Sequence, residues 1–464
     1  MTNTHITELI TPTDARYDNA RKAWNLTVDQ RPAAIAMPRN ADEIAGAVTR
    51  AAASGYRVAI QGTGHGAPSL GSLDGTVLVK TSAMRGVTIA PAALLARVEA
   101  GAVWADVVGA AAEHGLAALA GSSHDVGVAG YTLGGGVSSL SRRYGLAANS
   151  VLAAEVVTAD GHLHRIDLAH EPDLFWALRG GGGSFAAVTA LEIRLIPLQD
   201  VIAGVLFFPL DRALDVLRGW RRWVAHVPDE ISSSARLLQF PPLPHIPEPV
   251  RGRSFVAVEI VHLGNAAKAE KLLAPLRELQ PVRDTVSRKT PVDLLGIHMD
   301  PPGPVPGVGD GMQLDQLPAE AIDALLAAGG AGLRITAALG GTQAPRRRAR
   351  SIGTRVRCPD CTGGGLLALR SRHGSRTFRG GDSPRAHRAD QAGNGAMAGR
   401  TRLPELRRRR SRRNKVLRPG RAGPAAPGQT DLRPGGRVPV EPPGHPRTTD
   451  LMPQSNSMTT TRHE

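Results

Sequence analysis

Between Arg31 and Leu198, short β-branched or apolar runs alternate with alanine-rich stretches in which apolar positions recur every three or four residues. The runs at 33–37, 57–61, 76–80, 95–100, 151–158 and 188–196 have the composition of strands. A helix is expected over 41–54, where Asn40 stands as N-cap, Glu43 fills the capping-box position and Gly55 follows the end. A second is expected over 103–114, closed by Gly115. Interleaved in this order, the elements specify an α+β domain rather than an all-helical or all-β one. After Pro197 a helix is expected over 211–227, with Leu214, Leu217, Trp220, Trp223 and Val224 on one face, which makes both tryptophans core residues. Strands at 232–238, 254–262 and 333–339 and an amphipathic helix at 266–279 complete a second region, an antiparallel sheet backed by helices. Beyond about Gly341 the periodicity stops, and Arg, Pro and Gly dominate to the C-terminus.

The chain of 464 residues exceeds the roughly 250–300 at which single cores stop growing, so more than one domain is expected. The pattern divides it into an N-terminal segment, 1–30, a first domain, 31–200, a partial second domain, 201–342, and an Arg/Pro/Gly-rich tail, 343–464. The formal charge of +15 would point to nucleic acid or an anionic surface. It is confined to the tail: from Arg346 onward there are 27 basic and 8 acidic residues, leaving 29 basic and 33 acidic before it. Within that tail only Lys415 is a lysine and only Phe378 is aromatic, whereas single-strand binders add aromatic stacking groups, so a nucleic-acid partner is not expected. The two cysteines, Cys358 and Cys361, also fall there. No second Cys/His pair lies at ligand spacing, so neither a metal site nor a redox pair is expected. The first residues lack a basic region followed by an apolar one, and no apolar run is long enough for a bilayer; a cytoplasmic protein is the default.

Candidate chemistry lies in two glycine-rich segments. In Gln61-Gly62-Thr63-Gly64-His65-Gly66-Ala67, glycines permit positive φ and close approach, so successive N–H groups can form an anion nest beside an imidazole. A surface turn with an idle histidine is the alternative. The second segment runs from Gly121 through Ser122, Ser123, His124, Asp125, Val126 and Gly127 to Gly134-Gly135-Gly136. A Rossmann turn would need a strand directly before it and a long helix after it, and neither is expected here. His124 and Asp125 are neighbours in a loop and point in different directions, so loop polarity is expected of both.

Residues of about 31–198 resemble the FAD-binding domain of the vanillyl-alcohol oxidase / p-cresol methylhydroxylase (PCMH-type) superfamily, nearest its berberine-bridge-enzyme-like oxidoreductases. The resemblance rests on Pro38-Arg39-Asn40-Ala41-Asp42-Glu43-Ile44, the 61–67 loop, Val126-Gly-Val-Ala-Gly-Tyr-Thr-Leu-Gly-Gly-Gly136, Val156-Val-Thr-Ala-Asp-Gly161 and Asp173-Leu-Phe-Trp-Ala-Leu-Arg-Gly-Gly-Gly-Gly-Ser-Phe185, all in the family's order. It implies a two-subdomain FAD-binding domain followed by an antiparallel substrate domain, here incomplete at its C-terminal end. It implies an oxidoreductase that takes a hydride from a small alcohol, sugar or alkaloid-like molecule and returns the electrons to oxygen. It places His65 as the covalent attachment point of the flavin 8α carbon, and Ser123 where many members carry a second, cysteinyl link, so one link is expected. By the same resemblance Gln61, Gly62, Thr63, Gly64, Gly66, Ser122, Val126, Gly127, Gly130, Tyr131 and Gly135 contact the cofactor, and the main chain of Val157 faces adenine. The stretches Pro241-Pro-Leu-Pro and His298-Met-Asp-Pro-Pro302 also look familial.

The tail departs from that pattern. Members close with a Tyr-Leu-Asn-Phe-type strand, which often supplies the catalytic tyrosine, and with a Tyr-Asp-Pro-x-x-x-Phe-x-x-Asn-His ending; neither is present. Read one nucleotide later, permissible codons for Leu403-Pro404-Glu405-Leu406-Arg407 give Tyr-Leu-Asn-Phe-Ala, and those for 432–443 give the ending. A frameshift near 341–350 is therefore expected, against a simple disordered tail. In either case the expected tyrosine base falls near Leu403 and is absent from the chain.

Overall fold

The computed structural model describes residues 8–314 except His245 and Pro247, residues 316–328, and, as backbone alone, the strands Leu333–Ala337 and Leu366–Arg372. The first region holds two large sheets, besides the two-stranded pair of Leu116–Ala117 with Ile196–Pro197. One has the order Leu9–Ile10, Ala34–Ala36, Thr76–Lys80, Arg57–Gln61, the last three running parallel. The helix Ala41–Ala53 connects two of those strands and lays Ile44, Ala47, Val48 and Ala51 on the sheet. Its start is set by Asn40, whose side chain accepts from the Glu43 amide at 2.9 Å while Glu43 accepts from the Arg39 amide at 3.0 Å, a reciprocal cap. Its end is set by Gly55 at φ +71°, a left-handed position that glycine takes without strain.

The other sheet is antiparallel, ordered Val87–Ala90, Leu95–Glu99, Ala187–Arg194, Val151–Val157, Leu163–Asp167. Helices Trp104–Ala112 and Pro172–Gly181 cover it, with Trp104, Phe175 and Leu178 almost wholly buried. The α+β, two-subdomain arrangement expected from the sequence is the one observed.

A third, antiparallel sheet follows, ordered Arg283–Asp284, Val201–Pro209, Ser254–His262, Ile231–Gln239, Leu333–Ala337, Leu366–Arg372, Val308–Leu314, with Ser287–Lys289 also on Val201–Pro209. Helix Ala213–Val224 packs on it through Val216, Leu217, Trp220 and Trp223, so both tryptophans are core as expected. Each such burial stabilises by about 1.5–3 kcal/mol. Two elements depart from expectation. Val201–Pro209 is paired on both edges and buried along its length, so it shows a continuous apolar run instead of an alternation. Leu366–Arg372 lies in the tail, at positions expected to carry no regular structure: Leu366-Leu-Ala-Leu is an apolar β-capable run, and it pairs with Leu333–Ala337 and Val308–Leu314. Cys358, Cys361 and Leu403 lie outside the described residues. Among the described residues no helix is long and apolar enough to cross a membrane.

Candidate functional site

The parallel strand Arg57–Gln61 ends in the first glycine loop. Gly64 takes φ +92°, and a Cβ on it would stand 2.9 Å from the Cβ of Ala23 and 3.0 Å from the nitrogen of Trp24, so only glycine lets the loop lie against the N-terminal segment. The Trp24 amide donates to the Thr63 carbonyl at 3.0 Å, which brings the indole onto His65. The two rings are stacked, centroids 3.9 Å apart and planes 19° apart. Nδ1 of His65 lies 2.7 Å from Oγ1 of Thr63, and Nε2 lies 3.5 Å from Oδ1 of Asp125.

Asp125 comes from the second loop, which is held at the start of helix Trp104–Ala112 by bonds from Ala105 N to His124 O at 2.9 Å and Trp104 N to Val126 O at 3.1 Å. The loops touch: a Cβ on Gly127 would be 3.6 Å from Thr63 Oγ1. Asp125 accepts at Oδ1 from the Ser123 hydroxyl, 2.8 Å, and at Oδ2 from the Trp24 indole N–H, 2.6 Å. The expectation that Asp125 serves only loop polarity is overturned, because its carboxylate turns inward onto His65; His124 is exposed. Trp24 had no functional reading in the sequence. The only available signal was a tryptophan just before the first domain.

Burial holds the His65 imidazole below its ordinary pKa against the opposing pull of Asp125 and Asp300, so the ring is neutral at pH 7. Burial of Asp125 works to raise its pKa, yet bonds from Ser123 and Trp24 and the proximity of His65 leave it below the usual carboxylate range. A neutral imidazole therefore faces an ionised carboxylate.

The donor set fits a diphosphate cofactor. Among the described residues, the amides of Thr63, Gly64, His65 and Gly66 and of Ser122, Ser123 and Asp125 donate to no backbone carbonyl, and they belong to two loops in contact. Unspent amides of this kind bind phosphate without arginine. Gln61 is buried at the loop's root, its amide nitrogen donating to Gln30 at 2.9 Å. Gly135 is at φ +113° and Gly130 has open space at its Cα, while Val126 packs on the core. The ring of Tyr131 stacks edge-on to Trp104 at 5.3 Å and fills the room left by Gly121 and Gly136, which is a packing role. The strand of Val157 is paired on both edges, through Ala187 and Leu163.

A polar seam runs from the second loop to the third sheet. Ser122 donates to Asp300 at 2.9 Å, His298 Nε2 lies 3.6 Å from Asp300, and His298 Nδ1 lies 2.8 Å from Glu259. Glu259 also meets Arg236 at 2.5 Å and accepts from Ser234 at 2.8 Å. Apart from Ser122, expected to contact the cofactor, none of these residues was assigned a role from sequence, although His298 and Asp300 belong to a stretch noted there.

Residues 32–167 match the family described as FAD binding domain. The chain is 34% identical over 200 residues to (R)-6-hydroxynicotine oxidase of Paenarthrobacter nicotinovorans, covering 43% of this chain and 44% of that protein. It is 29% identical over 288 residues to glucooligosaccharide oxidase of Sarocladium strictum, covering 60% and 54%. Thus it spans about half the length of the curated relatives it matches. The crystal structure of 6-hydroxy-D-nicotine oxidase from Arthrobacter nicotinovorans superposes with a TM-score of 0.67 at 26% identity, covering 81% of this chain and 83% of that one.

Proposed function

We propose, from the premise that residues 32–167 are the FAD binding domain of an FAD-linked oxidoreductase, that the chain holds FAD through one covalent bond, at His65, and oxidises a small organic substrate, with oxygen as the final acceptor. The observation that carries this reading is the fixed, neutral imidazole of His65 beside two loops of unspent amides. Bound FAD supplies a two-electron acceptor. Gly62–Gly66 and Ser122–Gly127 hold its pyrophosphate, and the Thr63, Trp24 and Asp125 side chains keep the anchor ring still. Ser123, already bonded to Asp125, offers no thiol for a second link. Relatives named for oxidising a hydroxynicotine and glucooligosaccharides support an alcohol, sugar or amine-like substrate.

The purified chain is expected to be yellow, with the colour staying in the acid precipitate and leaving it in His65→Ala. Colourless protein without flavin refutes the reading. A second reading, a flavin-binding remnant impaired in catalysis, is favoured by Leu403-Pro404-Glu405 standing where the resemblance puts a tyrosine. Anaerobic bleaching of the flavin by any alcohol, sugar or amine of a test panel eliminates it.

A further inference from the structure

Asp125 is engaged from three directions. Ser123 and the Trp24 indole each donate to one of its oxygens, and Oδ1 looks onto Nε2 of His65 at 3.5 Å. The other ring nitrogen, Nδ1, meets the hydroxyl of Thr63 at 2.7 Å. A carboxylate beside one imidazole nitrogen selects the tautomer with its proton there, as in other carboxylate–histidine pairs. Nδ1 then keeps its lone pair, covered only by a hydroxyl that uncovers it on rotation. The stacked indole of Trp24 bars the ring from turning, and its own N–H holds the carboxylate in place.

We infer that Asp125 is a positioning residue for covalent flavin attachment, holding His65 as the Nε2-protonated tautomer with Nδ1 ready to bond the 8α-methyl carbon of FAD. The inference rests on His65 being the anchor, as proposed above. In the step an N–C bond forms at Nδ1 and one C–H bond of the methyl group breaks. The methyl proton and the Nε2 proton are released, the latter beside Asp125. The electron pair enters the isoalloxazine ring and passes to dioxygen, which with both protons becomes hydrogen peroxide. As Nδ1 bonds carbon the imidazole gains positive charge, and the ionised carboxylate at 3.5 Å stabilises it.

The test uses the full chain, expressed under flavin limitation and then given FAD. Total bound flavin is read by absorbance, and attached flavin by fluorescence of the acid-precipitated protein over time. Asp125→Asn keeps the side-chain shape and removes the charge; it is expected to bind FAD but attach it at least tenfold more slowly. Trp24→Phe keeps the stack and loses the N–H, and is expected to slow attachment severalfold. Equal rates in Asp125→Asn and the unmodified chain overturn the inference alone. So does failure of both variants to bind FAD at all, since that makes Asp125 and Trp24 folding residues. Flavin wholly extracted by acid from the unmodified chain overturns the anchoring role of His65, and this inference with it.

Discussion

One substitution made at two glycines should change stability in opposite directions. At Gly64, alanine would have to hold φ near +92° and place a Cβ 2.9 Å from the Ala23 Cβ and 3.0 Å from both the Ala23 Cα and the Trp24 nitrogen. The strained backbone costs about 1–3 kcal/mol. The contacts are with backbone and a short side chain, which cannot swing aside, so overpacking adds about 1–3 kcal/mol. The sum, about 2–6 kcal/mol, also bears on the Trp24-to-Thr63 bond that seats the indole on His65. At Gly46, inside helix Ala41–Ala53, a Cβ meets nothing within 4 Å, and alanine should stabilise by about 0.5–1 kcal/mol through helix propensity. Urea unfolding of the two variants followed by circular dichroism gives both values, and retained flavin after gel filtration gives the functional effect. Gly64→Ala is expected to unfold at lower urea and lose flavin, and Gly46→Ala to unfold at higher urea and keep it. Gly64→Ala within 0.5 kcal/mol of the unmodified chain and with full flavin would mean that the loop does not lie on the N-terminal segment as described.

Asn40→Ala removes the acceptor for the Glu43 amide and should cost about 0.5–2 kcal/mol in the same urea titration, with little change in the third sheet. His262 is fully buried on strand Ser254–His262, with no hydrogen-bond partner for either ring nitrogen among the described residues, and burial, with Lys268 nearby, holds its pKa below the ordinary value. The unfolded chain therefore binds this proton at about pH 6.5 while the folded one does not, so stability is lost as pH falls below about 6.5, by up to about 1.4 kcal/mol per pH unit until the folded group titrates. His262→Leu should flatten that part of the pH dependence, and an unchanged slope would show that other groups set it. Trp220→Phe forfeits the 2.9 Å bond to Ser233 beneath helix Ala213–Val224 and should cost about 1–3 kcal/mol by thermal unfolding.

What could be read in the sequence was local. The cap at Asn40, the left-handed glycines Gly55 and Gly115 and the strand Arg57–Gln61 follow from residues within a few positions of one another, and all stand in the structure. The first loop could also be read locally, because Gly64 at φ +92° and a histidine beside it are properties of one short stretch. Val201–Pro209 could not, since burial on both faces erases the alternation that marks a strand. Asp125 and Trp24 were opaque for a different reason. Their bond joins residues 101 apart in sequence, and which way a loop carboxylate points is decided by its distant partner. Adjacency to His124 argued for idle polarity, whereas the indole N–H turns Asp125 inward to the imidazole. The glycine pattern therefore gives the place where a cofactor can lie, and long-range contacts give the protonation and orientation of His65. The seam from Ser122 through Asp300 and His298 to Glu259 follows the same logic: each member is an ordinary polar residue alone, and only the approach of the third sheet to the second loop brings them into one chain of polar contacts.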